Sequence, residues 1–471
     1  MYKKFISLLL VVVLMVSLTA CSQIAQKNTT SNDVISPSIK DGKPEITILY
    51  YAGNTFLSKN NDFLSYIRKF EKQYGVEVSL KAIGDGNGSG NEMENFQKKI
   101  NTYLHEKKGP ELILGNDSQR DMVKLLIKQS AAMDLRDKIP NIKKIYDALL
   151  DQEVNYVPIG MDYDGLNFNK KVLEELGIKE LGTEWEPKDY MELREKWLKH
   201  SPRYFTVGEF NYITDRYLWQ CKLYDAQNKK ATINTPEVKS AIKSIRDEIY
   251  GNYKLNNNYK YENYYNMLYE PTSEEALSEE ELLFSKEYKQ QNLYAYSGNS
   301  SSRLYARQIQ DALDSGLVLS PDYKNIDTDL KSYGFLVNKN GNNLELAYEF
   351  INGLLADEIQ MEMWQPDINY QYYPVNKEIE EEIIKAELQE NTDQKAIAIK
   401  DAALNRIKQG YAHLFVLKNM DNATMIEDYQ LYERLRKQMI KFIFADTPYS
   451  DDELSSELKN LEAEYTIWLN E

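Results

Sequence analysis

Two cysteines and three histidines are all the chain has of the softer metal ligands, across 471 residues. No C-x-x-C spacing occurs, so no transition-metal site can be read and no metal or cofactor is expected. Positive charge is also scarce. Lys and Arg number 57 against 73 Asp and Glu, a net charge of −16. That balance disfavours nucleic acid and anionic lipid as partners. Phosphate-binding glycine motifs are missing as well. "GDGNGSGN" (84–91) carries no Lys-Ser/Thr and opens no apolar helix, so it reads as a surface loop.

Long apolar runs are confined to the start. "FISLLLVVVLMVSL" follows Lys3 and Lys4, which is the pattern of a secretory h-region, too short and wrongly flanked for a membrane span. The next residues, "LTAC" (Leu18 to Cys21), resemble a bacterial lipobox. The resemblance implies cleavage before Cys21, loss of residues 1–20 as a lipoprotein signal peptide, and a lipid (palmitate) on Cys21. Removing Lys3 and Lys4 and no acid takes the charge from −16 to −18. Residues 21–43 are polar and aperiodic, a flexible tether. The acyl chains would anchor the protein at the extracellular face of the cell membrane while the polypeptide stays in water. With Cys21 so used, Cys221 has no intramolecular disulfide partner; beside Trp219 in "DRYLWQCKLY" it is expected to be a core thiol rather than a nucleophile.

What remains is rich in strand–helix alternation. "EITILYY" (Glu45 to Tyr51) reads as a strand. Phe63, Leu64, Ile67, Phe70 and Tyr74 then share a helical face closed by Gly75, and "VEVSL" is a second strand. A helix with Phe96, Ile100 and Tyr103 or Leu104 inward leads to "ELILG", the third strand. This order predicts an α/β fold with parallel strands. Further on, "GTEWEPKDYMELREKWLK" predicts a helix opened by Pro187, and "NLELAYEFINGLLADEIQMEMW" one long helix burying Leu346, Phe350, Ile351, Leu354 and Leu355. Ser450 and Glu453 form a capping box ahead of Leu454, Leu458, Leu461, Tyr465 and Trp468. The Tyr- and Asn-rich stretch 250–271 lacks clear periodicity. It reads as a surface excursion, or as an aromatic flap over a site.

"VPIGMDYDGLNFNKKVLEELGI" is the stretch that holds chemistry. Asp162 and Asp164 flank Tyr163, and neighbours at i, i+2 in extended chain point to one face. Such a pair can serve as acid and base, as cation ligands, or as acceptors for hydroxyls. A calcium loop is excluded by spacing: counted from Asp162, the sixth and twelfth positions hold Asn167 and Leu173, not Gly and Glu.

Four stretches, with the lipobox, resemble the extracellular solute-binding lipoproteins of ABC importers, family 1, carbohydrate-binding type. "GPELIL" (Gly109 to Leu114) is similar to the family's G-P-D-[IL]-[IV] strand entry, with Glu111 for the usual Asp. "YVPIGMDYDGLNFNKK" is similar to its crossing strand and G-L-x-Y-N-K, with Phe168 for Tyr. "YGFLVNKNGNNLELAYEFINGLLADEIQ…YYPVNKE" and "TPYSDDELSSELKNLEAEYTIWLNE" are similar to its later blocks. The resemblance implies a two-lobe, periplasmic-binding-protein-like α/β fold with a hinge and an interlobe ligand cleft. One lobe would hold 44–159 and 331–375, the other 160–330 and 376–471. It implies a monomeric binding protein, not an enzyme, that delivers a carbohydrate to the transmembrane subunits of a permease.

Ligands of open α/β sheets sit beyond the carboxyl ends of the strands. The residues there are Tyr51 and Asn54 after the first strand, Asn116 and Asp117 after the third, Asp162, Tyr163 and Asp164 at the crossing, and Asn299 after "LYAYS". Trp364 joins them as an aromatic face. Asp and Asn suit hydroxyl edges, and Tyr and Trp suit the flat face of a sugar. Asn116 to Ser118 also suit a helix cap, and Trp185 and Trp219 suit a core. Few cations lie in these loops, which favours a neutral ligand, an oligosaccharide by preference. Two other readings use the same residues: a receptor for a peptide or a sensor partner, and a glycoside hydrolase using Asp162 with a second carboxylate.

Overall fold

The structure is a computed structural model that describes residues 43–53, 61–84, 99–100, 102–104, 109–116, 123–124, 126–127, 131–179, 181, 184–200, 203–218, 220–225, 227–294, 300–323, 328–364, 372–389, 392–414, 416–417 and 425–470. β1 (Glu45–Tyr51) buries Ile46, Ile48 and Leu49. Helix α1 (Asn61–Tyr74) turns Phe63, Tyr66, Ile67 and Phe70 inward. β2 (Glu77–Ile83) and β3 (Leu112–Asn116) flank β1, both in parallel, as the strand–helix alternation predicts. β4 (Val157–Asp162) ends this pass of the chain.

After Tyr163 the chain enters a second sheet. Its central strand, β5 (Asp164–Asn169), is paired antiparallel by β6 (Ser300–Ser302) and β7 (Leu317–Leu319). β8 (Thr328–Val337) then returns to the first sheet. It runs antiparallel to β3 and to β4, and its first three residues pair in parallel with β9 (Ala412–Leu414). The β4–β8 ladder slips between Tyr333 and Gly334, passing from Gly160 to Pro158 and skipping Ile159. Pro158 has no N–H to donate, so a bulge belongs there. The carbonyl of Ile159 is instead taken by the buried amide of Gln360, at 3.1 Å.

Two large apolar cores follow this division. The first packs around β1, β3, β4 and β8. The second packs around β5 with α2 (Pro187–His200), α3 (Val207–Leu218), α4 (Pro236–Asn252), α5 (Tyr261–Tyr269) and the last two helices below. A small third cluster joins Ala306 and Ile309 of α6 (Ala306–Asp314) to Ala396 and Ile397.

Three sequence expectations meet a different structure. The long helix is two, α7 (Leu344–Leu354) and α8 (Asp357–Met363). Ala356 is extended between them, and the Gln360 amide donates to the Leu354 carbonyl at 2.9 Å, closing the end of α7. Leu346 is only partly buried.

The expected division gave all of 376–471 to the second lobe and none of 304–330 to the first. Leu304, Tyr305 and Leu330 sit in the first core, as do Ile379 and Ile383 and then Ala403 to Leu417. Among the described residues, those from Leu431 onward, in α11 (Met425–Ile443) and α12 (Asp451–Trp468), join the second. In between, α9 (Glu380–Gln389) and α10 (Gln394–Lys408) bring the chain to β9. A three-residue strand has too little period to be seen in sequence.

The Tyr-rich stretch is part core and part surface: Tyr253, Tyr264 and Met267 are buried, while Tyr250 and Tyr261 are exposed. Tyr264 stacks on Phe444 with centroids 3.9 Å apart and 16° between planes. The Ser450–Glu453 capping box forms as expected, and Leu454, Leu458, Leu461 and Tyr465 are buried.

Candidate functional site

Parallel β1 and β3, with β3 and β4 both antiparallel to β8, put three strand ends on one edge of the first sheet. Those ends are Tyr51, Asn116 and Asp162. From β8, Lys331 arrives opposite Asp162, and Tyr333 opposite Asn116. The chain crosses to the second sheet at this same edge. Asp162 closes β4, Asp164 opens β5, and Tyr163 alone lies between.

The Asp162 carboxylate accepts from the Tyr163 N–H at 2.9 Å and from the Ser302 hydroxyl of β6. Its second neighbour is Asp164, and the two carboxyl groups are hydrogen-bonded to each other. Burial first, then the Asp164 charge, push the Asp162 carboxyl up to about 7; the Ser302 donor and the Lys331 ammonium oppose this. Lys331 Nζ sits 2.5 Å from Asp164 Oδ2. The ion pair therefore runs from a strand of the first sheet to a strand of the second.

Arg303 fastens the crossing. Its backbone N–H donates to the Tyr163 carbonyl at 2.8 Å. Its guanidinium donates to the Ser320 carbonyl and to Ser320 Oγ, the latter at 2.7 Å, just past β7. The same group lies 5.8 Å from the Tyr163 ring centroid. Gly165 makes this possible, because a Cβ there would stand 1.8 Å from Arg303 Nε. Gly160 does the same on the other side, where a Cβ would meet Tyr372 Cβ at 2.6 Å. Tyr372 in turn sets its ring edge-on to Tyr333, centroids 4.4 Å apart. Next to it, Tyr373 exchanges backbone hydrogen bonds with Met161, at 2.8 and 2.6 Å.

Behind the edge lies a buried polar group. Tyr305 is wholly covered, and burial and then the charge of Asp162 hold its phenol well above the usual range. Its ring meets Tyr373 edge-on at 5.7 Å. Lys400 pairs with Glu387, both buried, and Glu387 also accepts from the Ala306 N–H at 3.2 Å. Burial drives this pair toward neutrality from both sides, raising the Glu387 carboxyl and lowering the Lys400 ammonium.

The structure thus brings Asn116, Asp162, Tyr163 and Asp164 to one edge. Tyr51 ends its strand there, but its side chain is buried in the first core; Tyr50 is the one partly exposed. Tyr163 and Trp364 are also buried, at 3% and 7% exposure, so the faces they present in this arrangement are covered. Asn54, Asp117, Asn299, Trp219 and Cys21 lie outside the described residues. Cys221 is half-buried and burial pushes its thiol up, in keeping with a packing role. Trp185 sits in the second core.

Ser302, Arg303, Lys331, Tyr333 and Tyr372 are the residues that sequence reasoning missed. "SSSR" directly follows Asn299, and "QYYPVNK" carried the aromatic signal. Cations do reach this edge, but Lys331 is matched by Asp164 and Arg303 is engaged with Ser320. Among the described residues no group of three or more His, Cys, Asp or Glu is placed to hold a metal ion, and no helix is long and apolar enough to cross a membrane.

Residues 58–361 match the family model described as bacterial extracellular solute-binding protein. The chain belongs to this family. Its α/β architecture is also found among solved solute-binding proteins. The bacterial solute receptor AcbH, described with an exclusive preference for β-D-galactopyranose, aligns with 91% of this chain and 99% of its own at 16% identity and a TM-score of 0.52. A solute-binding protein of Thermotoga lettingae bound to α-D-tagatose covers 91% of this chain and 100% of its own, at 14% identity and a TM-score of 0.48. The Listeria monocytogenes protein Lmo0181, in complex with cycloalternan, covers 91% and 99%, at 15% identity and a TM-score of 0.48. No curated protein sequence matches the chain.

Proposed function

We propose that this solute-binding protein captures a neutral carbohydrate, an oligosaccharide by preference, between its two cores and delivers it to the transmembrane subunits of an ABC permease. The observation that carries this reading is the Asp162–Asp164 pair. It stands at the carboxyl edge of a parallel-containing sheet, at the one-residue crossing to a second sheet. A partly protonated carboxyl pair both donates and accepts, which suits the hydroxyls of a sugar. Lys331 pairs with Asp164 and Arg303 is engaged with Ser320, so neither cation is offered to an anionic ligand. Cleavage before Cys21, lipidation there, a monomeric state and attachment at the extracellular face complete the proposal.

A glycosidase would use Asp162 with a second carboxylate about 5–9.5 Å away. The family matched is one of solute-binding proteins, which favours binding. We therefore propose binding without turnover. Calorimetry against a panel that includes galactose, tagatose, maltooligosaccharides and cycloalternan should find at least one ligand. Asp162→Ala should weaken it by about 100-fold, the loss of one charge-assisted contact. Binding of a peptide but of no glycan in the panel would overturn the carbohydrate reading.

A further inference from the structure

Lys331 is the one cation whose side chain spans the crossing to the Asp pair in the described structure. It leaves β8 opposite Asp162 and places Nζ 2.5 Å from Asp164 Oδ2. An ordinary ion pair as exposed as this one, 55% and 24%, contributes little to stability. Here its surroundings are different. Asp162 and Asp164 lie against each other, so without Lys331 two acids would face each other, with the Ser302 hydroxyl and the Tyr163 N–H as the donors to Asp162 among the described residues. Arg303 cannot replace it, since its guanidinium is committed to Ser320. Tyr305, a further titratable group beside Asp162, is a covered phenol with no charge to offer.

We infer that Lys331 is a positioning residue of the ligand site: from the first sheet it holds Asp164 across the crossing, keeps Asp162 free for a ligand hydroxyl, and so ties ligand capture to the angle between the sheets. By holding one acid of the pair, the ammonium assigns the two carboxyls different roles. Asp164 is the strap and Asp162 the acceptor. When a hydroxyl donates to Asp162, its charged form is favoured, the attraction to Lys331 grows, and the strap tightens. This inference rests on the proposed function for its ligand, but its first test does not.

The test uses the ligand-free, full-length chain with 13C-labelled aspartate. The carboxyl titration of Asp162, assigned by its loss in Asp162→Asn, is followed by NMR in the parent, Lys331→Met and Lys331→Arg. Removing the cation should raise the Asp162 midpoint by about one pH unit, and arginine should restore it. A merely structural lysine would leave the midpoint in place. An unmoved midpoint in a folded Lys331→Met protein overturns the inference while leaving carbohydrate binding standing. A second arm reads glycan affinity with a sugar from the panel above. Lys331→Met should lose about tenfold, and the exchanged pair Lys331→Asp with Asp164→Lys should recover part of it. Failure of every sugar to bind the parent would sink the functional proposal alone, because the titration still reads the lysine.

Discussion

Replacing Asp162 by Asn should stabilise the protein at neutral pH and leave it unchanged in acid. The native carboxyl is held up at about 7 against an ordinary 3.8. Between those values the native state keeps a proton that the unfolded chain has released. Stability therefore is full below the unfolded value and falls as pH rises through the folded one. A gap of about three units sets a ceiling of ~4 kcal/mol above pH 7. Part of the side chain still reaches water and Lys331 attracts the charge, so ~1–2 kcal/mol is expected. Asn keeps an acceptor for the Tyr163 N–H and adds a donor toward Asp164, so it satisfies the site without a second charge. For a folding unit of about 150–250 residues that gain corresponds to roughly 2–8 °C. Scanning calorimetry of parent and variant at pH 4, 5, 6, 7 and 8 reads the difference directly, and other acids cancel in the subtraction. Melting curves that stay a constant distance apart over the whole range would refute the reasoning. The same variant should bind sugar less well, since a site residue carries its cost in the unliganded state.

Two further outcomes follow from groups away from that acid. Single replacement of the buried pair, Lys400→Met or Glu387→Gln, should lower stability by about 3–5 kcal/mol because the partner is left charged and covered, whereas replacing both by apolar residues should cost much less; a double-mutant cycle by calorimetry separates the cases. Tyr264→Ala should cost about 3–5 kcal/mol, as a stacked core aromatic does, and a change under 0.5 kcal/mol would return Tyr264 to the surface.

The parts of this fold that were legible in sequence are those specified by local period. β1, α1, β2 and β3 alternate as their apolar residues demand, and Ser450 with Glu453 marked the last helix because a cap is a four-residue signal. Half of the site was legible for the same reason, since Asp162 and Asp164 are neighbours in the chain. The other half comes from afar. Lys331 meets Asp164 across 167 residues, through a strand register that no local pattern encodes. Tyr51 was misjudged by one step of the strand, because period 2 says that one of two tyrosines is buried but not which. Tyr264 was hidden by composition: many exposed-looking Tyr and Asn around it masked a helix whose buried positions are only Tyr264 and Met267.

Arg303 has a mechanical consequence. Two passes of the chain, the crossing at Tyr163 and Gly165 and the turn at Ser320, are fastened to or packed on this one residue. Rotation about such a pivot changes its short contacts very little. Lateral slip of about 1 Å would stretch every one of them past bonding range. The crossing is therefore braced against shear where it enters the second sheet.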